Sequence, residues 1–272
     1  MKWVRVFQSG YSIIEIMIVL AITGVIFISA LALFSGQGAE VNFNQGVADL
    51  ASELSTQARS VSASQFYSAG GYKCTVSGTP PRASLSSSAG NSGGTNQDCI
   101  SIGRAFEAIA GTNDIFIYNV LGNRQTYSGG VPLGPASSLA EANPTIATAS
   151  GADLSVDYKL TGGLKVISSK VADLAGILSP RSLVSYYQDF NGETGAAQSS
   201  AVLTAKAYNL PTSTHNVSVA KACVEGTGCT APMDISSWQI CLESSDAKRR
   251  ALLIVTNSAA GVTTNPKFES CS

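Results

Sequence analysis

What this chain has little of narrows its reading before any motif is found. It carries a single histidine, His215, and no Cys-x-x-Cys pair, so a zinc site is not expected and no metal is assigned. Nothing around His215, in PTSTHNVSV, has the form of a nucleophile elbow or hydrolase motif, and no phosphate-cradling glycine loop is present. The residues therefore give no enzyme and no cofactor, and His215 alone reads as a strand-edge or loop residue. Only 13% of residues are charged, and the formal net charge is -1. Without a basic excess, the overall balance argues neither for nucleic acid nor for an anionic membrane surface. There is no internal repeat.

One stretch is empty of charge altogether. From Ile16 to Phe34 no ionisable side chain occurs, and at about 1.5 Å per residue such a helix would cross most of a hydrocarbon core. Glu15 stands at its leading edge, where a carboxylate costs roughly 2.5 to 3.5 kcal/mol on insertion scales and asks for a partner. The preceding segment, MKWVRVFQSG, has Lys2 and Arg5 as its only charges, which leaves it inside and sends the chain beyond Phe34 outward. The residues alone leave open a signal anchor with an acid near the interface, a functional acid with a partner, and a secretory signal cleaved among the small residues Ala30, Ala32, Ser35, Gly36 and Ala39, although the apolar run is longer than the usual signal core.

The segment GYSIIEIMIVLAITGVI resembles the class III signal of type IV pilins and pseudopilins: a Gly, an aromatic, a hydroxyl residue, two aliphatics and Glu. The resemblance implies cleavage by a prepilin peptidase between Gly10 and Tyr11, N-methylation of Tyr11, and an assembly role for Glu15 opposite the amino terminus of a neighbouring subunit. A Gly before the cut lets extended backbone enter a protease site unhindered. Gln8 and Ser9 stand where the family often has a basic residue, and Tyr11 where Phe is commoner. Removing Lys2 and Arg5 leaves 15 basic against 18 acidic side chains.

Beyond Phe34, SGQGAE contains two helix-weakening glycines and predicts a bend or fray. Val47, Leu50, Leu54, Ala58 and Val61 then recur at three- or four-residue steps, an amphipathic pattern. DLASELSTQARS, residues 49–60, resembles the helix of H-type minor pseudopilins and related minor pilins. The expected organisation is a leader over 1–10, a transmembrane and assembly helix over 11–34, an amphipathic half over 35–64 and a β-rich domain over 65–272. The expected fold is α+β and pilin-like, a long N-terminal helix, transmembrane and then amphipathic, packed on an antiparallel β-sheet.

Within the β-rich part the expected strands are Tyr72–Val76, Asp114–Leu121, Leu154–Leu160, Leu164–Ser168, Ala201–Tyr208, Val217–Ala222, Trp238–Leu242 and Ala251–Thr256. LSVDYKL and LKVIS, separated by Thr161, Gly162 and Gly163, read as a hairpin. Short helices are expected at Arg104–Ala110 and Ala172–Leu178. Ser84–Gln97 and Val131–Gly151, rich in small polar residues, read as surface loops.

Six cysteines, Cys74, Cys99, Cys223, Cys229, Cys241 and Cys271, lie after the apolar run and read as an oxidised framework. Sequence does not choose the pairing. Local pairing, 74 with 99, 223 with 229 and 241 with 271, is the preferred one, and the last resembles the disulfide-bounded region of many pilins. Lys248, Arg249 and Arg250 form one basic cluster. The segment around it looks like the closing hairpin of DNA-binding minor pilins, while the residues alone read as a solvated turn that keeps edge strands apart.

The expectation is thus a type IV pilus subunit, major or minor, that polymerises through its apolar helix in adhesion, motility or DNA uptake. Its implied partners are other pilin subunits, the prepilin peptidase, the membrane before assembly, and DNA or a host-surface ligand. Its implied place is a single pass in the inner membrane with the globular part outside, then an extracellular pilus. A pseudopilin of a secretion or competence machine is the alternative within the family. A membrane-anchored binding protein or enzyme that never polymerises is the alternative outside it.

Overall fold

The structure, a computed structural model, describes residues 12–62, 72–87, 98–149, 152–188, 203–258, 261–268 and 271, with the side chains of 30–37, 62, 87 and 152 left aside. Helix α1 (Ile13–Ser62) comes first, followed by β1 (Tyr72–Ser77), β2 (Arg82–Ser87), β3 (Cys99–Ala108) and β4 (Asp114–Asn123). A run of short strands comes next: β5 (Gln125–Ser128), β6 (Val131–Pro135), β7 (Thr145–Ile146), β8 (Thr148–Ala149), β9 (Ala152–Asp153) and β10 (Val156–Lys159). Then come β11 (Leu164–Asp173), β12 (Leu178–Pro180), β13 (Leu183–Gln188) and β14 (Leu203–Tyr208). Helix α2 (Val217–Val224) precedes β15 (Met233–Ser244), β16 (Arg250–Ser258) and β17 (Gly261–Lys267).

The expected α+β class is corrected. With seventeen strands against two helices among the described residues, the protein is mostly β-sheet, and one eleven-stranded sheet carries most of the core. Its main path runs β10-β4-β3-β13-β14-β15-β11-β12, with β16 and β17 continuing from β15 and β7 on β4. Much of the difference comes from stretches read as helix or loop. Residues 104–108 belong to β3, residues 172–178 close β11, turn and open β12, and residues 131–149 contain β6, β7 and β8. Residues 84–87 lie in β2, and 88–97 fall outside the described residues.

The transmembrane part of the expectation is overturned as well. No helix among the described residues is long and apolar enough to cross a membrane, so the single-pass inner-membrane placement is not supported. The expected weakening at SGQGAE does not interrupt the helix, since α1 runs unbroken through it.

From Phe43 onward α1 enters the core. Phe43, Val47, Leu50, Leu54, Ala58 and Val61 are buried with Phe106, Val166, Trp238 and Leu253 of the large sheet. Phe43 also meets Phe268 edge-on, ring centroids 6.3 Å apart. The carboxyl end of α1 is tied down by side chains of the sheet. Gln188 donates from Nε2 to the carbonyl of Val61, and the buried Arg104 donates from Nε to Ser60 Oγ at 3.4 Å. Both satisfy groups of the last turn, where carbonyls lack partners and a cation is favoured.

The opposite face of the sheet has its own core, built from Ile102, Tyr118, Tyr187 and Tyr208 with Ala220 and Cys223 of α2. Covered on both faces, β3, β4 and β13 show nearly continuous burial where a half-exposed strand would alternate. The short β1-β2-β8-β9 sheet packs beside it around Cys74, Leu85, Cys99 and Leu121.

Two further expectations change for local reasons. Val217–Ala222 is helical because the Asn216 side chain caps α2, accepting from the N–H groups of Ser218 and Val219 at 3.0 and 3.2 Å. The expected hairpin across Thr161–Gly163 does not form: β10 pairs with β4, while β11 pairs with β12 and β15. The glycines serve instead to bring this turn onto α1. Gly162 has φ +67° and a Cβ there would lie 2.3 Å from Asn42 O, while a Cβ on Gly46 would lie 2.7 Å from Thr161 O.

Candidate functional site

The densest cluster of ionisable groups forms where β3 and β4 meet the segment leading into α2. In the antiparallel register Glu107 lies opposite Phe116 and Ala105 opposite Tyr118, which places Glu107, Phe116 and Tyr118 on one face. The loop after β14 brings His215 over that face, immediately before the cap of α2. From the neighbouring small sheet, β9 contributes Asp153.

The imidazole is held between two carboxylates. His215 Nδ1 lies 2.9 Å from Glu107 Oε2, and Nε2 lies 2.9 Å from Asp153 Oδ2. Tyr118 donates its phenol hydrogen to Glu107 Oε2, and its oxygen is also 3.1 Å from His215 Nδ1. Glu107 is fully buried, and its other oxygen, Oε1, has no hydrogen-bond partner among the described residues. Phe116 closes one face of the imidazole by stacking.

These contacts set the protonation states. Burial pulls the His215 pKa down, but hydrogen bonds to Glu107 and Asp153, reinforced by both charges, outweigh it and hold the pKa above its ordinary value. For Asp153 burial pushes upward, and the Ser155 backbone N–H with the His215 bond carries the net shift below the usual carboxylate range. Burial first, then the Glu107 charge, drives the Tyr118 phenol far above its ordinary value. Both ring nitrogens are thus already engaged by carboxylates. The arrangement holds a proton and joins three segments.

The sequence-predicted residues lie elsewhere. Gly10 and Tyr11 fall outside the described residues. Glu15 is exposed in the first turn of α1, its N–H 3.4 Å from Ser12 Oγ. The six cysteines form three bonds, Cys74–Cys99, Cys223–Cys229 and Cys241–Cys271.

The basic cluster is divided among acids. Arg250 binds Glu243 Oε2 through Nε and Nη2 at 2.8 and 2.7 Å, and Lys165 Nζ binds the other oxygen at 3.0 Å. Hydrogen bonds from Lys165, then Arg250, hold the Glu243 carboxyl below its usual range. Arg249 reaches Asp246 Oδ2 at 3.3 Å, and the Lys248 N–H donates to Asp246 Oδ1 at 3.1 Å. Lys248 itself is exposed.

Known proteins add no assignment. No family model, no curated protein and no solved structure matches the chain. The His215 cluster escaped the sequence reading because its acids lie 108 and 62 positions away and belong to different sheets. Only the singularity of His215 marked it.

Proposed function

We propose that this protein is a subunit of a type IV pilus-like filament that assembles through the amino-terminal part of α1. The observation that carries the reading is the exposure of that segment. Twelve large apolar side chains between Ile13 and Ile28 are 49–79% exposed, on every side of the helix, and none is covered by the chain's own sheet. A helix apolar all round needs cover all round, and a bundle of copies supplies it. Glu15 at the head of this segment, within GYSIIEIMIVLAITGVI, supports the same reading by its resemblance to the class III signal. In a bundle, the carboxylate gains a cation in the freed amino group of the next copy, and the desolvation that would otherwise expel it is offset.

The three disulfides suit an oxidising compartment, where such a filament would stand. Partners on this reading are further copies and the peptidase that exposes Tyr11. Mass spectrometry of the amino terminus of protein recovered from sheared filaments tests it: the expected species begins at methylated Tyr11. Glu15→Ala should abolish incorporation while leaving the β-rich part folded. Recovery of the chain only as a monomer beginning at Met1 would overturn the proposal.

A further inference from the structure

A second feature shares no residue with the His215 cluster or the assembly segment. The end of β3, the β11–β12 hairpin and residues 209–213 enclose a half-open cavity of about 260 Å³. This is below the usual range of drug-sized sites and suits a single ring. Its apolar lining is the buried Ala108 and Ile109 with the exposed Pro180. Its rim is hydroxyl- and amide-bearing: Ser168, Ser169, Ser182, Asn209, Thr212 and Ser213.

Two of these groups are fixed by hydrogen bonds, Ser169 from the core and Thr212 within its own loop. Ser169 Oγ accepts the indole N–H of the buried Trp238 at 2.8 Å, which leaves its own hydrogen to donate elsewhere. Thr212 Oγ1 donates to Thr214 O at 3.1 Å, which leaves its oxygen to accept. Ser168 sits where the β11–β15 register shifts after Val166, a bulge that re-aims the side chain next to it.

Among the described residues Arg181 is the only charged one lining the cavity, and no carboxylate lines it. Its Nη1 donates to Pro180 O at 2.8 Å, which orients the guanidinium, and its backbone N–H donates to Ser169 O at 3.1 Å. No carboxylate among the described residues pairs with it, in contrast to Arg249 and Arg250. A half-buried guanidinium with unused donors beside a hydroxyl-lined, partly apolar hollow calls for an anion carried on a hydroxylated ring.

We propose that this cavity binds an acidic monosaccharide, with the carboxylate on Arg181, the hydroxyls on the serine and threonine rim, and the ring's C–H face on Ile109 and Pro180. Saturation-transfer NMR on the purified full-length chain tests it, using glucuronate, glucose and acetate as separate probes. Glucuronate should bind saturably and at least about tenfold more tightly than either glucose or acetate, since a charge-assisted hydrogen bond accounts for a factor of that order. Arg181→Gln should reduce glucuronate binding to the glucose level with an unchanged melting temperature, and Arg181→Lys should keep part of it. Methyl glucuronoside separates the sources. Binding equal to glucuronate places the ligand at the end of a glycan chain, and loss on capping the anomeric oxygen makes it a free sugar acid. Equal binding of glucose and glucuronate, acetate binding as tightly as either, or indifference to Arg181→Gln would overturn the assignment.

Discussion

Phe116 lies flat against the imidazole of His215, ring centroids 3.6 Å apart and planes 14° from parallel. A protonated imidazole gains from an aromatic face beneath it, more so where water is displaced. Phe116→Leu keeps the bulk and removes the π-face, so the His215 titration midpoint should fall toward its ordinary value. Because the chain has one histidine, its NMR titration reads out without ambiguity. A midpoint unmoved by the substitution would exclude the stacking contribution.

Stability should depend on pH through the same group. A folded-state pKa raised above the unfolded value means that His215 stabilises fully below its ordinary pKa, and that this contribution disappears as pH rises through the folded value. Asp153, whose folded pKa is depressed, acts in the opposite sense, and its contribution is lost as pH falls through that lowered value. Denaturant midpoints should therefore decline as pH rises from the ordinary imidazole pKa through the raised folded value in the parent, with a flatter profile in His215→Gln. Parallel profiles would show that the imidazole makes no net contribution.

The contact between the 161–163 turn and α1 depends on missing side chains. Gly162→Ala would place a methyl against Asn42 O and hold alanine at a left-handed φ, a combined cost of roughly 2 to 4 kcal/mol. Gly46→Ala meets Thr161 O from the other side and should also destabilise. Urea unfolding followed by fluorescence of the buried Trp238 measures both. Wild-type midpoints would mean that the turn yields without cost.

The Cys74–Cys99 bond closes a segment with a sequence separation of 25, and it joins the small sheet to β3. Replacing both residues with serine should lower stability by about 2 to 4 kcal/mol on the loop-entropy account. The loss should appear first as amide exchange in β1 and β2, with β13 and β14 still protected. Uniform loss of protection across both sheets would instead show that they unfold as one unit.

How far the sequence spoke depended on what each signal encodes. Strands with β-branched runs, such as the one containing Asp114–Leu121, could be read directly. RAFEAIA could not: β3 is buried on both faces, and its small and aromatic residues carry no alternation to separate strand from helix. VSVA favours a strand by propensity, yet the single cap at Asn216 decides for helix. The two glycines after Thr161 carry the signature of a tight turn, and the sequence does not say what they turn toward. For the site the limit was distance along the chain, since a carboxylate is meaningful only once its neighbour is known. Locality did serve for the cysteines, where each bond joins sequence neighbours.

The anchoring of α1 to Gln188 and Arg104 has a mechanical consequence. Both residues lie on inner strands, β13 between β3 and β14, and β3 between β4 and β13. Tension applied along the helix axis is delivered to the middle of the sheet, where ladders on either side divide the load in shear, and no outer strand can be peeled away one bond at a time.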